Sequence, residues 1–357
     1  MPASYVYQDT AVLEKIAPEL IQFIALADPI FKYFPIREHK QSKIRWSILD
    51  NYRGLMNVRG YDGAPTRVAR PGSTVFEEKP GVFGEFGQLD EQELTERADG
   101  FPADMTIPMD VSDMIREWQM ILTVRQTQRM RQICWTHATA HAITVALPNG
   151  GIGYQAGYTG NTLTIATLWS NLTTATPIHD LRQLQFLYGR GTSNNFGAPA
   201  EAWMNRKTAG YIMDNRNPAD AGGIRAQFGN TVFNNIEDFN KILLAQDCPV
   251  IRIYDDSFQI EQLGAAPGFN PGNLYQLYLP DGVVWVVAAR PGNELPGEFM
   301  WTKHTINGGG TKPYAFVDDY TKSEPHPSVP PKIIIHQGFN GGAVQTRPSQ
   351  TVTMVVA

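Results

Sequence analysis

The strongest pattern in the chain is a series of apolar residues at helical spacing between residues 110 and 147. Its members recur at short, helix-like intervals: Val111, Met114, Ile115, Trp118, Ile121, Leu122, Met130, Ile133, Cys134, Ala138, Ala142 and Val145. This spacing is typical of a helix with a buried face. Asp110 or Ser112 can cap its start and Pro148 stops it. At roughly 1.5 Å per residue the helix would be about 57 Å long, which predicts a flat or elongated molecule. We expect its larger side chains to pack on the body: Trp118, Ile121, Leu122 and Trp135.

The segment before this helix has little sequence that could form a core of its own. Glycines and prolines between residues 58 and 88 interrupt two strand-like runs, PTRVAR (65–70) and STVFEEK (73–79). This pattern predicts a two-stranded arm. Because an isolated hairpin is marginally stable in water, either the chain's own body or another subunit must cover it. The next stretch, QLDEQELTERA (88–98), has the composition of a short acidic helix.

The rest of the chain mixes helical and strand-like patterns. Near the N-terminus, a helical pattern over 11–34 is interrupted by Pro18, the stretch 27–35 is expected to be a turn and an extended piece, and 42–50 alternates like a strand. Helices are predicted at 176–191 and 235–247, and a strand followed by a helix at 199–215. Strands are predicted at 249–255, 274–292 (a pair around Pro280, Asp281 and Gly282), 298–306, 313–321, 330–337 and 349–357. This mixture predicts an α+β protein.

Composition and charge exclude several classes of protein. The net charge is −5 and Lys and Arg form no dense run, so the electrostatic footprint of a dedicated nucleic-acid binder is missing. Charged residues make up only 18% of the chain, which suits a surface that neighbouring molecules cover. Cys134 and Cys248 are too few for a disulfide framework. No secretory signal is recognised and no apolar run is long enough to span a bilayer. We therefore expect a soluble protein made in a cytoplasm.

Three motifs could carry chemistry, and in each the sequence favours a structural role. In HATAH, His137 and His141 lie one helical turn apart, as zinc ligands can, but Ala138 stands where a zinc protease has its glutamate base. No third ligand is identifiable nearby. The stretch GGIGYQAG (150–157) is one residue too long for a dinucleotide loop and follows a helix. Cys134 lies among apolar residues in mid-helix, which makes it a poor nucleophile. We expect no catalytic residue, no cofactor and no metal site.

The order of the elements resembles that of one known family. Five stretches carry the resemblance: STVFEEKPGVFGEFGQLDEQEL, DMIREWQMILTVRQTQRMRQICWTHATA, TPIHDLRQLQFLYGRGTSNNFGAPAEAWMNRKTAGYIM, YLPDGVVWVVAARPGNELPGEFMW and QTRPSQTVTMVVA. They look like an arm, a spine helix, a helix leading to a strand and a second helix, a late hairpin and a final strand. This plan is similar to that of the tailed-phage major capsid proteins, which have the Hong Kong ninety-seven-type fold. It is most like the lambda-type E capsid family, and the similarity extends over nearly the whole chain.

The resemblance implies an α+β capsid fold made of four regions. These are an N-terminal arm (1–57), an extended β-hairpin or E-loop (58–88), a peripheral domain (89–164 and 286–330) that contains the spine helix (110–147), and a mixed α/β axial domain (165–285 and 331–357).

The resemblance also implies a function. Proteins of this family assemble as pentamers and hexamers into an icosahedral head shell that encloses double-stranded DNA. Implied partners are further copies of the chain and scaffolding, portal and decoration proteins, with no membrane and no sequence-specific contact to DNA. The protein would then be a non-enzymatic component of the virion that is assembled in the cytoplasm of a bacterial host.

Under this resemblance the E-loop supplies candidate contacts between subunits. We expect Phe76, Val82, Phe83 and Phe86 to anchor the loop on a neighbour, and Arg67, Arg70 and Lys79 to meet acidic partners at the rim. The alternative is that these phenylalanines pack within their own subunit.

Two further functions stay open, a phage tail or tube component and a carbohydrate-binding β-rich module. The 7 tryptophans, the 14 tyrosines and the many strands favour such a binding protein. The single long helix favours the shell protein instead.

Overall fold

The computed structural model describes residues 28–49, 73–90, 111–147, 151–190, 192–220, 236–259, 275–289, 294–305, 310–319 and 332–357. The helices in these stretches are α1 (Ile30–Tyr33), α2 (Val111–Ala140), α3 (Pro177–Leu184), α4 (Arg206–Met213) and α5 (Ile236–Ala245). A π-helical turn (Gln185–Gly189) follows α3. The strands are β1 (Ile36–His39), β2 (Ile44–Leu49), β3 (Ser73–Glu78), β4 (Gly81–Asp90), β5 (Ala142–Ala146), β6 (Ile152–Gly157), β7 (Asn161–Thr164), β8 (Glu201–Met204), β9 (Val250–Ile253), β10 (Ser257–Gln259), β11 (Tyr275–Leu277), β12 (Val283–Val287), β13 (Glu298–Thr302), β14 (Tyr314–Asp319), β15 (Lys332–Val344) and β16 (Thr351–Val355).

The long strand β15 organises the first of two five-stranded sheets, which we call the spine sheet. On one edge β15 pairs antiparallel with β14 and then with β13, and β1 adds to β13 in parallel. On its other edge β15 pairs antiparallel with β4 from Lys332 to Gly341. One strand therefore holds together segments that are up to about 250 residues apart in the sequence.

The second sheet has the order β7-β16-β12-β8-β9 and is covered on one face by α3, α4 and α5. Its central strand β12 is apolar on both faces. Val284 and Val286 face the helices, whereas Trp285 and Val287 face the cluster around α2. Because successive strand residues point to opposite faces, a strand buried on both sides requires the continuous apolar run VVWVV.

The spine helix α2 changes its surroundings along its length. Its first half lies on the spine sheet with one buried face, where Gln337 of β15 donates to the Gln126 Oε1 (2.8 Å) and the Thr123 Oγ1 (2.9 Å). Its second half is buried nearly all round between the two sheets. There Trp135 stacks on Tyr254 at a ring distance of 4.6 Å and meets Trp285 edge-to-face. The helix therefore joins the two sheets into one core.

The spine helix is shorter than the sequence pattern predicts. It ends at Ala140, which makes it about 45 Å long, and not at residue 147. His141 has a left-handed backbone (φ 58°), and its carbonyl accepts a bond from the Tyr158 N–H (2.9 Å) instead of continuing the helix. The apolar residues after it belong to β5, which pairs with β6. Ala142 and Val145 matched the helical spacing only by coincidence.

The N-terminal part of the described chain is a core element and not an arm. Ile30 and Phe34 of the α1 segment are fully buried in the cluster around α2, and β1 extends the spine sheet. The N-terminal arm predicted over 1–57 therefore does not include residues 28–39, which belong to the body, and the expected turn and extended piece at 27–35 contains a short helix. Residues 1–27 lie outside the described residues.

The predicted arm divides between two structures. Strand β3 pairs with β2 (Ile44↔Glu78 to Leu49↔Ser73), so the partner of STVFEEK comes from the segment assigned to the N-terminal arm and not from PTRVAR, which lies outside the described residues. Strand β4 belongs to the spine sheet. The E-loop boundary at 58–88 is therefore wrong, and residues 88–90 are strand where a helix was predicted. Residues 91–98 lie outside the described residues.

Two pairings in the C-terminal half also correct the predicted domains. Strand β15 joins the spine sheet, so it does not belong with the axial segment 331–357 to which the sequence assigned it. Strands β11 and β12 follow each other but do not form the predicted pair, because β11 pairs with β10 and β12 pairs with β16 and β8. Strands β1, β6, β7 and β10 had no predicted counterpart, and β15 continues to Val344, beyond the predicted 330–337. The other described strands and helices lie close to their predicted places.

A nearly buried ion pair ties the N-terminal segment to the spine helix. The Arg131 guanidinium is bonded to the carboxylates of Asp28 and Asp256 and donates to the Tyr254 hydroxyl (2.7 Å). Asp28 also accepts from the Tyr254 hydroxyl (2.5 Å) and from the Ile30 N–H (2.9 Å). Because the Asp28 side chain is only 2% exposed, its charge depends on these partners.

We expect Arg131→Gln to destabilise the fold by about 3–5 kcal/mol, because it leaves the Asp28 carboxylate buried without its counter-charge. Chemical unfolding in urea measures the loss. The double variant Asp28→Asn/Arg131→Gln removes both charges and should recover part of it. Equal stability of Arg131→Gln and the wild type would contradict this role for the pair.

Candidate assembly surfaces

The two faces of β4 meet different surroundings. On the inner face, Phe83 stacks on Phe339 at 4.9 Å and Gly87 lies against the Trp118 ring of α2. On the outer face, Val82 is 70% and Phe86 is 62% exposed. The alternation follows from the two-residue period of a strand. The glycine at position 87 lets the strand approach the tryptophan, since a Cβ there would lie 2.6 Å from the ring.

An aromatic row crosses the outer face of the spine sheet. Phe86 on β4, His336 on β15 and Phe316 on β14 are register partners. The His336 ring stacks on Phe316 at 4.6 Å and lies 6.0 Å from Phe86, and its Nε2 is 3.3 Å from the Asp318 carboxylate. We call Val82, Phe86, His336 and Phe316 the sheet-face patch. It combines three rings and one aliphatic side chain with one acidic neighbour, and such a surface suits contact with another protein.

The structure separates the predicted E-loop contacts. Val82, Phe86 and the exposed Lys79 face outward, as a contact residue must. Phe83 lies in the core, and Phe76 is half-buried on Trp46 of β2 at 5.3 Å. Both rings pack within their own subunit, as the alternative given above expects, and their role as anchors on a neighbour stays a prediction. Arg67 and Arg70 lie outside the described residues.

The spine helix presents a second apolar surface. Met120, Ile121 and Val124 form a stripe of exposed side chains on the side of α2 away from the sheet. The prediction that Ile121 packs in the core is wrong, because this residue is 42% exposed. On the helix it lies roughly 100° from the buried Leu122 and roughly 140° from the buried Gln126.

The structure also describes the other three residues expected to pack from the spine helix. Leu122 and Trp135 are buried, and Trp118 is half-buried beneath β4. Sequence spacing identified the buried face of the helix but did not show that its opposite face is apolar as well.

A third apolar surface was missed from the sequence. Phe186 and Leu187 are exposed on the π-helical turn after α3, with the Arg190 guanidinium 4.8 Å from the Phe186 ring. In α3 the buried positions are Ile178, Leu181 and Leu184. Continued helical spacing places residues 186 and 187 on the polar side. Two large apolar residues on that side were the signal that could have revealed this surface.

The β2–β3 hairpin meets the body through a partly buried carboxyl group. Glu78, the last residue of β3, accepts a bond from the Gly157 N–H (3.3 Å) at the end of β6. Burial raises the pKa of Glu78 to about 7, although the bond from Gly157 acts in the opposite direction. The contact between hairpin and body therefore includes a group that titrates near neutral pH.

The histidines and the cysteine that were considered for chemistry are packed or hydrogen-bonded within the fold. His137 is fully buried between Phe34 and Tyr158, and burial, with a smaller contribution from His141, lowers the pKa of His137 to about 3. The His141 Nε2 and the Thr353 hydroxyl are hydrogen-bonded at 3.0 Å. Burial raises the pKa of the Cys134 thiol. Within the described stretches, no three His, Cys, Asp or Glu side chains are placed to hold a metal ion. None of their helices is long and apolar enough to cross a membrane.

Comparison with known proteins gives a result at the level of structure. No family model and no curated protein sequence matches the chain. Among solved structures, a protein assigned as the capsid protein of a prophage in E. coli CFT073 has a TM-score of 0.50 at 12% identity, covering 95% of this chain and 98% of the other. The chain has the tailed-phage major capsid fold.

Other solved capsids are similar at lower scores. The capsid of Myoviridae phage XM1 has a TM-score of 0.48 at 8% identity, covering 92% and 91% of the two chains. The capsid of cyanophage P-SCSP1u has a TM-score of 0.46 at 10% identity, covering 91% of this chain and 86% of the other. The predicted α+β capsid fold is confirmed, and the similarity to the prophage protein extends over nearly the full length of both chains.

We expect Glu78→Gln to flatten the pH dependence of stability between pH 5 and pH 8. The raised pKa means that the neutral carboxyl stabilises the fold at acid pH, and that this contribution is lost as the pH rises toward and through about 7. Thermal unfolding across this range measures the effect.

Glu77→Gln is the matched control, because the neighbouring Glu77 is exposed and its bonds to Lys43 and Arg45 lower its pKa. It should keep the wild-type slope between pH 5 and pH 8. A Glu78→Gln variant with that same slope would contradict the assignment.

Proposed function

We propose that the chain is a major capsid protein that assembles with copies of itself into the head shell of a tailed phage. The observation that carries the proposal is a capsid fold similar to the prophage protein over 95% of this chain, whose described surface has three separate groups of exposed apolar side chains. They are the sheet-face patch, the α2 stripe and the Phe186–Leu187 turn. A subunit of a shell contacts neighbours on several sides, and each of these interfaces buries apolar surface.

The finer parts of the proposal follow from the capsid fold and from the charge of the chain. We expect pentamers and hexamers that form an icosahedral shell around double-stranded DNA. Scaffolding, portal and decoration proteins would be partners, and assembly would take place in the host cytoplasm before the protein becomes part of the virion. The net charge of −5 supports a shell that encloses DNA without clamping it. The role is structural and includes no catalytic step.

The carbohydrate-binding alternative receives no support from the tryptophans. All 7 lie in the described part of the chain; Trp118 is half-buried under β4 and the others are buried. They build the core and do not form the exposed stacking platform that a sugar ring would need. A tail or tube component remains the second candidate, and the shape of the assembled particle distinguishes it.

We expect Phe86→Glu to abolish assembly and to leave folding unchanged. The ring is exposed in the single chain, so the substitution costs that chain little, but it would bury a charge in every contact made by the sheet-face patch. Sedimentation velocity measures particle formation, and thermal unfolding of the unassembled chain measures folding.

Lys241→Glu is the control, since it changes the charge at an exposed residue of α5 that belongs to none of the proposed contacts. Assembly of Phe86→Glu at the wild-type level would show that the sheet-face patch is not a subunit contact.

A further inference from the structure

A groove with a volume of about 580 Å³ is lined by residues 82–85 of β4 and by residues 337–339 of its partner β15. The spine helix forms its floor, the β5–β6 hairpin its opposite wall, and Phe258 and Gln276 of the β10–β11 hairpin one end. Val82 and Leu147 are exposed at the two rims. The groove therefore has one exposed apolar side chain on each rim.

The strand edge in the groove has no partner strand within the described part of the chain. Strand β4 pairs along one edge with β15, and no other described strand adds to it. Residues 82–85 of β4 line the groove. An open strand edge presents backbone N–H and C=O groups that an extended peptide can pair with.

The floor of the groove contains one buried donor without an acceptor, on Gln126, and a half-buried guanidinium, on Arg129. Arg129 bonds to the Gln132 side chain (2.5 Å) and forms no ion pair with any described residue. Burial lowers the pKa of the Arg129 guanidinium, and the nearby Glu85 opposes this shift. The Glu85 carboxylate is already bound by the Arg125 guanidinium (2.9 Å). Gln126 is only 7% exposed, and its Nε2 has no acceptor in the described structure.

Unsatisfied buried donors of this kind are costly, and a carboxylate is the acceptor that suits a guanidinium best. We propose that the groove binds an extended, carboxylate-bearing segment of a second copy of this chain. Its backbone would add to the free edge of β4 while its carboxylate accepts bonds from Arg129 and Gln126. The apolar rims at Val82 and Leu147 cover the rest of the segment.

A second copy is the occupant that fits the charge and the surface. The chain has 35 acidic and 30 basic residues, so another copy brings surplus carboxylates. Val82 belongs both to the groove rim and to the sheet-face patch, so the groove continues a surface already proposed as a subunit contact. The inference rests on the proposed assembly function and specifies one of its contacts.

A zero-length cross-link tests for the carboxylate directly. In the Arg129→Lys variant, a carbodiimide activates a carboxylate in contact with the new amine, and the amine displaces the activating group to form an amide. Particles are assembled from a mixture of ¹⁵N-labelled and unlabelled variant chains and are then digested for mass spectrometry. We expect mixed-isotope peptides that join position 129 of one copy to an Asp or Glu of another.

Arg37→Lys is the control, because Arg37 is an exposed arginine that lies beside one carboxylate of its own chain, Glu298 (3.3 Å). It gives the yield of cross-links between copies that collision alone produces. Particles that give only the same-chain link to Glu85, or a yield between copies no higher than this control, would overturn the groove proposal and leave the capsid function standing. Failure of the wild-type chain to assemble under any condition would overturn both.

A charge reversal at position 129 tests the groove proposal independently. We expect Arg129→Glu to lower the yield of wild-type-sized particles about tenfold or more, because the lost charge-assisted bond recurs in every subunit. Thermal unfolding of the unassembled variant should match the wild type. Normal assembly of Arg129→Glu would contradict the proposal.

Discussion

The second half of α2 must be buried on nearly every side, and the rest of the molecule depends on this requirement. From Met130 to Thr139 the helix has few residues that can face water. Trp135 alone contacts three aromatic rings: Trp203 of β8, Trp285 of β12 and Tyr254, which directly follows β9. A single sheet can cover only one side of a helix. Two sheets and the α1 segment are needed, and this need draws distant parts of the chain together.

The first half of α2 has the opposite character, and that difference produces the surfaces available for assembly. Among the described residues only the spine sheet lies beneath it, joined by the Gln337 hydrogen bonds, and its other side presents an apolar stripe. The spine sheet is likewise covered on one face by α2 and presents Val82 and Phe86 on the other. A core that is complete at one end and one layer deep at the other suits a plate with exposed faces. Such a plate can gain further burial by joining its neighbours.

Sequence reasoning found the elements more reliably than their partners. The 3.6-residue and two-residue periods identified α2 and most strands because these periods are local. The pairing of β4 with β15 depends on residues about 250 positions apart and has no local signal. The end of α2 was missed because Ala142 and Val145 preserve the helical spacing beyond His141, where the backbone turns. Whether Phe83 or Phe86 faces the core depends on strand register, which only the pairing fixes.

The proposed role requires that this chain build a closed shell from copies of itself. Electron microscopy of the overexpressed chain, alone and with its scaffolding protein, tests it most directly. We predict closed shells with icosahedral symmetry, or rings of five and six subunits, in which the sheet-face patch lies at contacts between subunits. A monodisperse monomer under both conditions, or an open tube in place of a shell, would contradict the account.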